Sequence, residues 1–299
     1  MTSIISVVIN AQNAETDLPR AISSVKSFAD EIVVVNQGST DGTREIAKKL
    51  GAKVYEHKSV EYVELARNFA ISKATCEWIL ILDPDEEIPE TLAKKIKKIV
   101  ASPEADYYRI PRKNIVFGKW LRYSRWWPDY NIRLFKKGTV SWNEVIHAVP
   151  MTQGKGGEIK DDEGLAIVHN HYVTIEQYIE RMNRYTTQQA KTKIAEGYKF
   201  SWKDVIVRPM GEFLSRYFYG QGYKDGVHGL SLATLQAFSE LTVYLKVWQD
   251  QKFEEKDIQL NEINSLLRKQ ESDLHYWQGD ARYKESGKFT DRIKRKLRI

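Results

Sequence analysis

The acidic run Asp83-Pro84-Asp85-Glu86-Glu87 offers more chemistry than any other stretch of this 299-residue chain. It follows Trp78-Ile79-Leu80-Ile81-Leu82, which is too short to cross a membrane and rich enough in branched side chains for a strand buried on both faces. In extended chain Asp83 and Asp85 project to the same side, and Pro84 between them fixes one backbone dihedral. Carboxylates at the carboxyl end of a parallel strand lie where open α/β sheets bind ligands, and such hard oxygen donors suit Mg²⁺ or Mn²⁺ better than zinc. The pattern therefore predicts a place to hold a divalent cation and a phosphate. A blander role is open to the same residues, because Pro89 and the lysines between 94 and 98 mark a helix that Asp83 to Glu87 could merely cap.

The elements that must position this tip are legible upstream. Ile4 to Ile9 is a β-branched apolar run that ends in a polar loop carrying Asn13. Glu31 to Asn36 repeats the pattern. Gln37-Gly38-Ser39-Thr40-Asp41-Gly42-Thr43 then opens onto a helix from Arg44 to Leu50, the geometry in which backbone N–H groups face an anion. Capping by Thr40 or Asp41 is compatible with that use. Lys53 to Glu56 makes a short third strand, and a helical pattern from Glu64 carries Arg67 and Asn68 into the acidic strand. Arg67 suits an anion clamp or a plain salt bridge. Four alternations of strand and helix predict a mostly parallel α/β sheet with helices on both faces. Its ligand edge would gather Asn13, Asn36, Arg67, Asp83 and Asp85.

After Ser102-Pro103 the composition changes. Tyr107 to Pro111 and Ile115 to Trp120 read as strand pieces, and Trp126 to Phe135 packs aromatics around Asp129 and Arg133. Such density suits a wall for sugar rings or the core of a small sheet. Trp142, Glu144 and His147 follow, then His169 and His171, for which structural or acceptor-side roles are favoured over metal ligation. From Thr174 the chain reads as helical. Val205 to Trp248 is too polar to span a bilayer and suits helices lying in a membrane interface, or packed on the sheet or on a second copy.

Composition limits the partners. Apolar residues make up 42% of the chain, enough for a full core, and the single cysteine, Cys76, excludes an internal disulfide. The start lacks a positive segment followed by an apolar core, which favours a cytoplasmic location. A net charge of +6 is concentrated at the end, where Lys284 to Ile299 holds seven Lys or Arg against Glu285 and Asp291. That tail suits anionic lipid.

Taken in order, the Asn13-Ala14-Glu15 loop, Glu31 to Thr43, Arg67-Asn68, Trp78 to Glu87 and Trp127 to Phe135 resemble the inverting glycosyltransferases of family 2, in the branch of the lipopolysaccharide core β-glucosyltransferases. The resemblance runs from Ile4 to about Trp248. It implies a GT-A nucleotide-sugar transferase domain over 1–172, with a nucleotide-binding half at 1–101 and an acceptor-side half at 102–172, followed by a helical region at 173–299. It also implies Mn²⁺ or Mg²⁺, a UDP-linked hexose as donor, and a saccharide or lipid-linked acceptor of the cell envelope. By the same resemblance Asn13 and Asn36 lie by the base, Arg67 near the nucleotide, Asp83 by ribose and metal, and Asp85 on the metal. The chain departs from the family at Asn36, where Asp is usual, and at Ala148, where Glu usually follows the His. For the base that deprotonates the acceptor, Asp129 is the first choice, because burial among aromatics would raise its proton affinity; Glu144 and His147 are the reserves. A peripheral location on the inner face of the cell membrane, association through the C-terminal helices and no nucleic-acid partner complete the expectation. Two other readings stay open: an inert membrane- or nucleic-acid-binding adaptor on the same sheet, and a nucleotidyltransferase, although the glycine-rich, lysine-bearing phosphate loop of the latter is missing.

Overall fold

The computed structural model describes residues 4–58, 64–142 and 150–298, and the chain divides into two compact units. The first comprises residues up to 115 and 128–171; the second comprises 116–127 and the chain from 172 onward.

The first unit begins with β1 (Ile5–Ala11), α1 (Leu18–Val25), β2 (Glu31–Asn36), α2 (Thr43–Lys49), β3 (Lys53–Glu56), α3 (Glu64–Lys73) and β4 (Trp78–Leu82). These strands lie in the order β3-β2-β1-β4, all parallel, with Val8 level with both Val33 and Ile81. Alternation along each strand sorts its side chains into two cores. Val7, Ile9, Leu80 and Leu82 pack with Leu18 and Ile22 of α1 on one face, whereas Val8, Val33, Ile79 and Ile81 pack with Ala70 of α3 on the other. Because both faces are covered, the runs are continuously apolar, which is why they were readable. The strand order reverses between β1 and β4, so the crevice beyond their carboxyl ends is the expected ligand site of such a sheet.

Next come β5 (Glu86–Glu87), α4 (Glu90–Ala101), β6 (Tyr107–Val116), β7 (Lys119–Trp120), β8 (Asp129–Lys136), β9 (Val140–Ser141), β10 (Met151–Thr152), β11 (Gly156–Glu158) and β12 (Ile167–Tyr172). Here the sheet turns antiparallel. β8 pairs with β4, with Leu134 opposite Leu80, and also with β6, where Arg112 stands opposite Asp129. The short β5 pairs antiparallel with β12, setting Glu86 opposite His169. The sheet is thus mixed: parallel across its first four strands, and antiparallel in these later pairings. Residues 107–116 form one strand with a register shift after Tyr108, where the sequence pattern suggested two pieces.

The second unit is built on α5 (Ile175–Ala195), α6 (Asp204–Leu214), α7 (Val227–Asp250), α8 (Leu260–Ser286) and α9 (Phe289–Leu297). α7 packs on α5 through Tyr178, Met182 and Leu232 and, a few turns on, through Ala190, Val243, Tyr244 and Val247. A π-helical turn, Ser215–Tyr219, continues α6. Among the described residues no helix is long and apolar enough to cross a membrane.

Candidate active site

At the carboxyl ends of β1 and β2, Asn13 adopts a left-handed conformation, φ 48°, that few residues other than glycine take as readily. Its N–H donates to Ser39 Oγ (3.0 Å) and its Oδ1 accepts from the Thr40 N–H (2.8 Å), which ties the two loops together. Asn36 is buried. Its Nδ2 donates to Glu56 Oε2 (2.8 Å) and its Oδ1 accepts a long bond from the Ser39 N–H (3.3 Å). An amide oxygen has two lone pairs, so one acceptor position remains on Asn36.

The acidic tip is held by arginines. Asp83 Oδ1 accepts from Arg67 Nη2 (3.2 Å) and Oδ2 from Arg133 Nη2 (2.7 Å), while the Asp83 N–H donates to Glu86 Oε2 (2.9 Å). Burial works to raise the Asp83 carboxyl, but the charges of Arg133 and Arg67 outweigh it and hold it below the ordinary carboxylate value. Glu86, wholly buried, accepts from Arg133 Nη2 (2.6 Å) and Arg112 Nη1 (3.3 Å). Arg112 in turn grips Asp129, with Nε 2.9 Å and Nη2 2.6 Å from Oδ2. One continuous chain of alternating charge therefore runs from Asp83 through Arg133, Glu86 and Arg112 to Asp129.

Asp129 differs from expectation. Burial is the largest influence on it and does push its carboxyl up, but Arg112, Asn114 and Asn131 together pull it below the usual value. Asn114 Nδ2 donates to Oδ2 (3.1 Å) and Asn131 Nδ2 to Oδ1 (3.1 Å). Its proton affinity is lowered, not raised, because the antiparallel register brings donors from β6 against it. Its ion pair is with Arg112, while Arg133 serves Asp83 and Glu86.

From Asn114 the network continues to imidazole. Asn114 Oδ1 lies 2.6 Å from His169 Nδ1, and His169 Nε2 lies 3.6 Å from Asp85 Oδ2 and 3.0 Å from His171 Nδ1. The two rings meet edge to face at 4.4 Å. Position i, i+2 on β12 puts both on one side of the strand, and the β5–β12 pairing brings that side to Asp85. The pair thus belongs to the acidic tip.

Arg67 also lies over the Trp142 ring, 5.5 Å from its centroid, and Asn68 exchanges two hydrogen bonds with the Trp142 backbone, Nδ2 to O (2.7 Å) and N–H to Oδ1 (2.9 Å). The dipeptide Arg67-Asn68 therefore anchors the segment that leads towards Glu144 and His147. Both of those lie outside the described residues.

Among the described residues no group of three or more His, Cys, Asp or Glu is placed to enclose a metal alone. Asp83 has both oxygens on guanidinium groups, whereas Asp85 stands beside the His169 imidazole, so Asp85 is the better placed carboxylate. Mg²⁺ is usually bound through one or two carboxylates plus substrate phosphates, and this donor set fits a cation that shares its shell with a diphosphate. Glu86, Arg112, Asn114 and the part played by Arg133 were not anticipated. Arg112 and Asn114 alternate along a strand that also carries Arg109 and Lys113, so no clean apolar–polar alternation marked them out.

A mixed α/β sheet that gathers acids, arginines and small-residue loops at the carboxyl ends of its parallel strands has the ligand site of an open α/β fold. Residues 6–153 match the family model described as glycosyl transferase family 2. A glycosyltransferase of Rickettsia typhi, itself uncharacterized, is 32% identical over 79% of this chain and 83% of its own. The lipopolysaccharide core biosynthesis glycosyltransferase LpsC of Rhizobium meliloti is 23% identical over 82% of this chain and 92% of its own. Among solved structures, S. aureus TarS 1–349 in complex with UDP superimposes with a TM-score of 0.46 at 15% identity, over 85% of this chain and 94% of that one. The chain belongs to glycosyl transferase family 2, and it is a glycosyltransferase.

Proposed function

We propose that the chain is a metal-dependent inverting transferase that moves a hexose from UDP to a saccharide or lipid-linked acceptor of the cell envelope, working at the inner face of the membrane. The observation that carries this reading is the acidic tip. Asp83 is held ionised by Arg67 and Arg133 on the nucleotide side, and Asp85 faces the His169 imidazole on the other, with His171 behind it against His169. The lipopolysaccharide assignment of LpsC supports the acceptor class.

In the proposed reaction the acceptor hydroxyl oxygen bonds to the anomeric carbon from the face opposite the diphosphate. The bond from that carbon to the diphosphate oxygen breaks, its electron pair leaving on UDP. The hydroxyl proton passes to Asp129, which Arg112, Asn114 and Asn131 keep ionised at the expense of its proton affinity. Asn36 Oδ1 accepts from the base, and Asp83 lies by the ribose. A divalent cation, held by Asp85 with an imidazole of the His169–His171 pair, would neutralise charge on the diphosphate.

Calorimetry with UDP and with GDP, each with and without Mn²⁺, followed by a panel of UDP-hexoses, tests this. UDP should bind at least about tenfold more tightly with Mn²⁺ present, and Asp85→Asn should remove that gain and lower transfer by about 100-fold or more without moving the urea midpoint. Transfer by Asp85→Asn at the wild-type rate would overturn the metal assignment. Transfer by Asp129→Asn at the wild-type rate would do the same for the base.

A further inference from the structure

We propose that the second unit carries a binding site for an anionic saccharide, a sugar ring bearing a phosphate, in a cavity between α6 and α8. The cavity measures about 590 Å³, within the range of small-ligand sites. It lies wholly within that unit and is separate from the transferase chemistry argued above.

Three observations point to a ligand. Gln270 lines the cavity, is only 5% exposed, and makes no side-chain hydrogen bond among the described residues. Its amide atoms are not among the buried polar atoms left without a partner, so they meet the solvent of the cavity and are open to a donor or acceptor there. Gly211 lines the opposite wall from inside α6, yet a Cβ built on it would meet nothing within 4 Å. Gly211 is solvent-exposed, so a side chain added there would project into the opening of the cavity and not into protein. The third observation is the chemistry of the walls. Tyr219, Tyr276 and Trp277 supply aromatic rings, Trp277 standing edge-on to both tyrosines at 5.6 and 5.2 Å; Lys284 covers a face of Tyr219 and Arg298 a face of Tyr276, each 5.5 Å from the ring centroid, so Trp277 is the stacking surface for a ligand.

The charge is positive. Arg298 is taken up by Asp273 (2.8 Å), so those two cancel. Arg125 and Lys269 remain, and Lys269 has no ion-pair partner among the described residues. Arg125 reaches the cavity from a loop in which it and Ser124 are both left-handed, φ 69° and 56°, held by Ser124 Oγ on Arg216 O (2.9 Å) and Ser124 N–H on Gly220 O (2.7 Å). Flat rings pack on the apolar face of a pyranose, a carboxamide pairs with hydroxyls, and two cations suit a phosphate. Neither a neutral sugar nor a bare phosphate uses all three features.

The test is calorimetric, on the full chain with UDP present throughout to fill the nucleotide site. Glucose 6-phosphate should bind saturably, with methyl glucoside and inorganic phosphate each weaker by about tenfold or more. Gly211→Leu should project into the cavity and abolish that binding while leaving the far-UV spectrum and thermal midpoint at or above wild type. Gln270→Ala should weaken it by about fivefold or more. A second arm distinguishes a free ligand from a lipid headgroup. If vesicles containing phosphatidylinositol retain the chain better than equally charged phosphatidylglycerol vesicles, and Gly211→Leu removes the preference, the saccharide is lipid-borne. Ligand binding that survives Gly211→Leu, or no ligand-dependent signal in either arm, overturns the site. Because these readouts measure binding and not transfer, their failure is distinct from failure of the transferase reading.

Discussion

Arg133 is the residue on which the acidic tip turns, and it is used sparingly. Both of its anions, Asp83 Oδ2 at 2.7 Å and Glu86 Oε1 at 2.6 Å, sit on the same nitrogen, Nη2. Nε and Nη1 are buried without a hydrogen-bond partner among the described residues. Burial opposes its charge, but Asp83 and Glu86 keep it firmly protonated. An ion pair of this kind is costly to break from one side only, because the partners stay buried and charged. Arg133→Leu should therefore lower the free energy of unfolding in urea by about 3–5 kcal/mol. Adding Glu86→Leu removes one stranded carboxylate, so the double variant should recover at least about 1 kcal/mol of that loss. If the two substitutions simply add, the charge chain is not a unit. How Asp129 would titrate was beyond reach from composition alone. The donors that hold it ionised come from Arg112 and Asn114, on a strand whose register against β8 depends on a shift after Tyr108.

Elements were legible in proportion to how much apolar surface they bury. β1, β2 and β4 are covered on both faces and announce themselves as unbroken apolar runs, whereas β5 is two residues long and has no period to read. Yet β5 is what sets Glu86 opposite His169 and so brings the His169 imidazole to Asp85. A pairing across some eighty residues leaves no local trace. The parallel strands have their own polar fastening in Glu31, the first residue of β2. It accepts from Ser6 Oγ on β1 (2.5 Å), Lys53 Nζ on β3 (2.7 Å) and the Thr75 N–H before β4 (2.8 Å). Burial alone would raise its carboxyl, but Lys53, Ser6 and Thr75 bring it from 4.5 down to about 2. Because the folded value is depressed, the stabilisation is fully present above pH 4.5 and is lost as the pH falls towards 2. Glu31→Gln should cost about 2–3 kcal/mol at neutral pH, an order-of-magnitude figure set by the shift. The difference from wild type should shrink steadily between pH 4.5 and pH 2 in urea titrations. A gap that stays constant with pH would assign Glu31 a packing role instead of an electrostatic one.

At the scale of the whole molecule, the proposed membrane association would rest on what the C-terminal region presents to lipid. α9 has Phe289, Ile293 and Leu297 one turn apart on a single stripe, 69%, 43% and 60% exposed. Arg295 is turned back to Asp280 on α8 (2.8 Å), while Lys294 and Lys296 make no ion pair among the described residues. An apolar stripe flanked by cations is the pattern of a helix that lies in the interface of an anionic bilayer. The two contributions can be separated. Each cation near such a surface is worth about 1 kcal/mol and is screened by salt, whereas the apolar part is not. Lys294→Glu with Lys296→Glu should therefore weaken sedimentation with phosphatidylglycerol vesicles by about 100-fold or more at low ionic strength, and much less at 0.5 M salt. Replacing Phe289, Ile293 and Leu297 by Ser should weaken it at both salt concentrations. All three side chains are exposed, so the triple variant should keep the wild-type thermal midpoint, and a loss of vesicle binding can be read as a loss of anchoring. If both variants sediment like wild type, α9 is not the anchor.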